Sequence, residues 1–166
     1  MSERLTHVDE TGAARMVDVS AKDVTARTAT ASGRVHVSPA VIELLRGAGV
    51  PKGDTLAVAR LAGIMGAKQT STLIPLCHPL GLSAVSVDLV VTDASVDITA
   101  AVRTTDRTGV EMEALTAVSV AALTVVDMVK AVDKAAVITD IRVETKTGGK
   151  SGDFSRTTRA PEADRA

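Results

Sequence analysis

Residues 108–134 read TGVEMEALTAVSVAALTVVDMVKAVDK, and this stretch limits the fold more than any other. Leu115, Val118, Ala122, Val125 and Val129 recur at three- and four-residue steps, which places them on one face of a long helix. Ala and Leu are strong helix formers and outweigh the β-branched Val and Thr. Charge is confined to the ends. Glu111 and Glu113 stand at the entrance, and thirteen uncharged residues then pass before Asp127, Lys130, Asp133 and Lys134. A helix so poor in charge must be covered on most sides, by a sheet and by another subunit. The charges left at its two ends are either partners of the helix dipole or groups kept for chemistry.

The cover has to come from small aliphatic side chains. The chain of 166 residues is 45% apolar, yet it has one Phe and no Tyr or Trp. Its length suits a single domain with its own core. Binding that relies on stacking bases on aromatic platforms is excluded. With 19 basic and 20 acidic side chains the formal net charge is -1, so bulk attraction to nucleic acid or membrane is not expected. Cys77 is the only cysteine, which rules out an intrachain disulfide or a cysteine zinc cluster. No apolar leader opens the sequence and no run reaches the ~20 apolar residues of a membrane span, so a cytoplasmic protein is expected.

Around the helix the pattern changes to that of strands. Residues 25–37 alternate weakly and are rich in Thr, Ala and Val, a first strand from which Arg27 and Arg34 project. Ser38-Pro39 signals a short helix over 39–46, ended by Gly47 and Gly49. Asp54 opens a second helix that runs to about Thr72, with a small side made of Ala59, Ala62, Gly63, Gly66 and Ala67. That side suits close packing within the chain or against a second copy. Clean alternation over 82–92 and from Val96 to Arg103 predicts a hairpin, and 137–145 a fourth strand. Residues 16–19 read as an edge strand or extended arm. The order β-α-β-β-α-β, with one extra short helix, is the ferredoxin-like, split βαβ arrangement: an α+β fold with an antiparallel four-stranded sheet and helices on one face. The bare face is expected to carry Val and Ala, hence to oligomerise. The domain is expected to span 1–154, with 155–166 a disordered polar tail.

Three groups of residues could carry chemistry. His78 lies on the loop LIPLCHP, stiffened by two prolines, and histidine titrates near neutrality. Cys77 beside it has no activating neighbour in sequence, so it reads as a small buried residue. The lysines Lys52, Lys68, Lys130, Lys146 and Lys150 form the second group. Residues 148–152, GGKSG, can offer backbone N–H groups and a cation together, which suits phosphate; the spacing is not that of a Walker loop. Third, Asp127 and Lys130 are three apart and are neighbours on a helix. Glu113 and Asp127 are fourteen apart, about 21 Å along one helix. Either Glu113 sits in a turn before the helix, or a site using both joins two subunits. No metal is expected: His7, His36 and His78 are scattered, and no pair has ligand spacing.

Taken together, the segments LTHVDETGAARMVDVSAK, KGDTLAVARLAGIMGAKQTSTLIPLCHPL, TGVEMEALTAVSVAALTVVDMVKAVDK and GGKSGDF resemble, in order, the cyclic pyranopterin monophosphate synthase family of molybdenum-cofactor biosynthesis. LIPLCHPL together with TGVEMEALTA is the most specific match. The resemblance implies a ferredoxin-like lyase that turns 3′,8-cyclised dihydroguanosine triphosphate into cyclic pyranopterin monophosphate and pyrophosphate. It implies a homohexamer, a trimer of dimers, with sites at subunit contacts, acting on a small nucleotide substrate, with no nucleic acid or membrane partner. It implies Asp127, Lys130 and Lys52 as catalytic residues. It places Leu76, Cys77, His78, Met112 and Glu113 at the substrate, with Glu111 nearby, and Lys68, Lys146, Lys150 and Arg27 around it, the lysines at its phosphates. No resident cofactor is implied, and Mg²⁺ accompanying the triphosphate is compatible with the sequence. The rival readings are a non-catalytic nucleotide-binding module and a family member that has lost activity.

Overall fold

The structure, a computed structural model, describes residues 5–47 and 55–156. The described residues fold as α+β, with one antiparallel sheet and four helices. In chain order these are β1 (Thr25–His36), α1 (Pro39–Arg46), α2 (Thr55–Lys68), α3 (Thr70–Leu73), β2 (Leu82–Val91), β3 (Ser95–Asp106), α4 (Glu111–Val129), β4 (Val137–Thr147) and β5 (Phe154–Ser155). The strand order is β2-β3-β1-β4-β5. Neighbouring strands run antiparallel throughout.

The sheet therefore has five strands where four are expected. Glycines at positive φ, Gly148, Gly149 and Gly152, bend the loop back after β4. Phe154 and Ser155 then pair with Lys146 and Thr145, so the first residue of the expected tail belongs to the sheet. Residues 157–166 lie outside the described residues, as does Asp54, the expected start of α2. The helix expected to run to Thr72 breaks after Lys68 into α2 and the one-turn α3. Residues 15–19 form an irregular arm that joins no strand, and among the described residues an isolated bridge links Val8 to Ala14.

Helix α4 is the centre of the packing. It lies on β1, β3 and β4 and against α2. Ala114, Ala117, Val118, Ala121, Ala122 and Val125 are fully buried. By length and hydropathy α4 could cross a bilayer; its apolar side chains instead fill the space between the sheet and α2. Contact is close because the facing residues are small. A Cβ on Gly33, in the middle of β1, would come within 2.6 Å of Val118. Added at Gly63 it would meet the Ala117 carbonyl at 2.9 Å, and at Gly66 a Val120 methyl at 2.8 Å. The small side of α2 thus serves packing within the chain.

The expectation of a Val- and Ala-rich bare face does not hold. Strict alternation sends Ala29, Ala31 and Val35 toward the helices and Thr28, Thr30, Ser32 and Arg34 to the other side. The bare face is polar and cross-linked. The hydroxyls of Thr30 and Thr145 are 2.6 Å apart, Arg34 makes a bidentate pair with Asp97 at 2.7 Å, and Ser32 and Arg142 both donate to Glu144. Exposed large apolar side chains on this face are few, with Val90 of β2 among them, while the helices carry Val58, Leu61 and Met65 of α2 and Leu123 of α4.

Gly33 tests the close approach. Gly33→Val should lower stability by about 1–3 kcal/mol, because the new side chain has no space under Val118. An unchanged urea midpoint would show that α4 can lift off the sheet freely.

Candidate active site

Two chain segments meet at the N-terminal end of α4. The first is the turn holding Leu76, Cys77 and His78. It is pinned on the helix side by hydrogen bonds from the N–H of Ile74 to the Thr70 carbonyl (2.8 Å) and of Cys77 to Ile74 (3.0 Å). On the strand side the Thr104 hydroxyl donates to the Gly81 carbonyl at 2.7 Å. The second segment is the first turn of α4, Glu111, Met112 and Glu113. All six residues line one open cleft of about 330 Å³. Thr6, His7, Val17, Val19 and Lys22 of the N-terminal arm close its other wall.

The ionisable groups at this junction differ in environment. The Glu113 side chain lies deep in the packing, with the residue only 4% exposed. Burial raises its pKa, and the charge on Glu111 raises it further, while a hydrogen bond from its own backbone N–H partly opposes both. Burial likewise pushes the Cys77 thiol up, with Glu113 adding to the effect; the thiol is held protonated, which suits a packing role rather than a nucleophilic one. His78 also lines a second, adjoining cavity with Asp18, Ser20 and Arg107. The Asp18 carboxylate is held low by hydrogen bonds from Ser20, with a smaller contribution from His78.

Cations flank the cleft. Lys146 Nζ lies 3.8 Å from Glu111 Oε1 and also donates to the Ser151 hydroxyl. Arg27 Nε donates to the Asp106 carbonyl at 2.9 Å. Its guanidinium occupies the place a Cβ on Gly149 would take, so the glycine loop lies flat against it. Lys150, on that loop, is exposed. The structure therefore gathers Arg27, Lys146 and Lys150 around residues 148–152, next to the cleft.

Other expected site residues are not brought there within one chain. Lys68 is exposed at the end of α2 and lines neither cavity. Lys52 lies outside the described residues. Glu113 is part of α4 itself, so it shares one continuous helix with Asp127 and stands about 21 Å from it along the axis. Lys130 caps that far end, its Nζ 2.5 Å from Asp127 Oδ1, with side chains 62% and 66% exposed. An ion pair this exposed adds little to stability. The residues missed from sequence are His7 and Lys22, together with Asp18 and Arg107. They belong to the arm and to the turn it crosses, where Arg107 Nε donates to the Lys22 carbonyl at 3.0 Å. An irregular arm leaves no periodic signal; the alternating run MVDV was its only mark.

An α+β scaffold that sets a buried acid, an imidazole and a group of cations around one cleft is built for an anionic small molecule. The chain belongs to the MoaC family, whose model matches residues 16–149. It is 83% identical over 156 residues to a cyclic pyranopterin monophosphate synthase of a Nocardioides species, covering 92% of this chain and 96% of that protein. A Streptomyces coelicolor protein of the same name is 79% identical over 93% of this chain and 91% of its own length. Mycobacterium tuberculosis cyclic pyranopterin monophosphate synthase 2 is 59% identical over 93% of both chains.

The buried acid gives a pH test. A carboxyl whose folded pKa is raised keeps its proton while the unfolded chain loses its own, so folding stability falls as pH rises above the ordinary Glu value. Glu113→Gln removes that loss. The variant should match the parent in acid and be the more stable of the two at neutral pH, as read from urea midpoints across the range. Equal pH dependence in the two proteins would place Glu113 in a solvated position.

Proposed function

We propose that this chain is a lyase of molybdenum-cofactor biosynthesis, converting 3′,8-cyclised dihydroguanosine triphosphate to cyclic pyranopterin monophosphate with release of pyrophosphate. The observation that carries the proposal is the single cleft lined by Leu76, Cys77, His78, Glu111, Met112 and Glu113, with Lys146 and Arg27 at its side. The relatives' names supply the product, cyclic pyranopterin monophosphate.

A triphosphate brings several negative charges to a chain of net charge -1, so cations must be concentrated locally. Lys146, Lys150 and Arg27 do this beside a loop of positive-φ glycines able to present backbone N–H groups. In this reading a ribose hydroxyl attacks the α-phosphorus, the bond to the β-phosphate oxygen breaks, and pyrophosphate leaves under cation stabilisation. Any Mg²⁺ arrives on the triphosphate as part of the substrate. Opening and reclosing the purine ring calls for proton transfers. Glu113, its pKa raised, suits a general acid, and the Asp127–Lys130 couple with Lys52 supplies the remaining transfers. His78 binds or donates.

The two ends of α4 act together only if they belong to different chains. We read the assembly as a homohexamer of three dimers in which Asp127 and Lys130 of one chain face the cleft of another. Their exposure in the single chain and the apolar stripe of Val58, Leu61 and Met65 support this. We also read the fold as ferredoxin-like, with β5 an addition: the order β2-β3-β1-β4 supports it.

Incubation with the cyclised triphosphate should give pyrophosphate and a fluorescent pterin. Lys130→Ala should lower kcat by about 10² or more while the oligomer stays intact by light scattering. Substrate binding without turnover would favour a nucleotide-binding module instead.

A further inference from the structure

Glu111 occupies an unusual place at the cleft. It stands in the first turn of α4, where a carboxylate normally faces the helix N–H groups. Its side chain instead folds back over Gly109 and comes within 3.8 Å of Lys146. A Cβ on Gly109 would overlap the Glu111 carboxylate, so this conformation requires glycine two residues earlier. Lys146 is held from the other side by Ser151 of the glycine loop. Its side chain is 21% exposed and that of Glu111 33%, so the two charges meet in a partly desolvated place where their attraction is stronger than on an open surface. Arg27 lies against the same loop at Gly149.

We propose that Glu111 is a removable counter-ion for Lys146, and that Gly109 is the positioning residue that lets its carboxylate reach there. The inference rests on the reading that Lys146 binds substrate phosphates. The carboxylate neutralises a half-buried cation that makes no other ion pair among the described residues. An incoming diphosphate group offers more negative charge and more acceptor oxygens than a carboxylate, and it takes Lys146 from Glu111. The carboxylate then swings off into the cleft, which it also lines. Anions too weak to displace it are kept from the lysine.

Pyrophosphate is the probe, because it isolates these contacts from those made to the purine-derived ring. It is titrated calorimetrically into the full-length protein at low ionic strength, where screening is small. Lys146→Ala should weaken pyrophosphate binding. Glu111→Gln, nearly isosteric, should tighten it by about fivefold or more, fivefold being the size expected for removing one competing charge at about 4 Å in water. Gly109→Ala should also tighten it, and the double variant Gly109→Ala/Glu111→Gln should bind no more tightly than Glu111→Gln alone. Structural damage weakens binding, so tightening is a result that a merely structural role cannot give. Unchanged affinity in Lys146→Ala would overturn the phosphate reading and this inference with it. Weakening in Lys146→Ala, with Glu111→Gln unchanged or weaker, would overturn the counter-ion inference alone.

Discussion

The structure depends on how closely α4 can approach what surrounds it. With a single Phe and a core of Val, Ala, Leu and Ile, no large side chain is present to bridge a gap. Dispersion contacts fall away steeply with a gap of even half an ångström, so a small-residue core holds only when backbones come near. Gly33 lets Val118 settle on the central strand, and Gly63 and Gly66 let α2 settle on α4. β4 adapts as well. Ser32 pairs with Arg142 and Arg34 with Thr139, an extra residue on β4 that forms a bulge with Asp140 at φ 58°.

A helix packed this tightly is a rigid ruler, and that property links the fold to the chemistry. One end fixes Glu113 in the packing beside Cys77, where burial favours its protonated form. The other presents Asp127 and Lys130 to the outside as an exposed pair. The rigidity that makes the cleft dependable also keeps the two ends of α4 apart within a chain. In the proposed function, both ends serve one substrate, which is why we read two copies as arranged so that the far end of one helix meets the cleft of another. Under that reading, the exposed Val58, Leu61 and Met65 of α2 and Leu123 of α4 mark the helix layer as a face for a second copy.

Much of this was legible in the residues. The 3.6-residue spacing around Val118 and Ala122 gave the long helix, and period-two alternation gave β2, β3 and β4 to within a few residues. The paired prolines around Cys77 and His78 marked a stiff loop that does line the cleft. What escaped had no periodicity to show it. β5 is two residues long, and the glycines before it read as a loop running out rather than as a turn returning to the sheet. The polarity of the bare face was hidden in β1, whose Thr and Ser residues can face either way in a weak alternation. The arm that brings His7 and Lys22 to the cleft is held by scattered hydrogen bonds, such as that from Arg107 to Lys22, which no local pattern announces. The turning of Glu111 away from its own helix depends on a glycine whose role appears only once the side chain is placed.

Subunit complementation tests the central claim most directly. Purified Glu113→Gln and Lys130→Ala chains, each inactive alone, are mixed, dissociated and reassembled, and turnover of the cyclised triphosphate is measured. If Glu113 and Lys130 of different chains build one site, a mixed pair holds one doubly altered and one intact site. Random pairing should then restore about a quarter of the parent activity. Reassembled mixtures no more active than the two variants alone would contradict a site shared between chains.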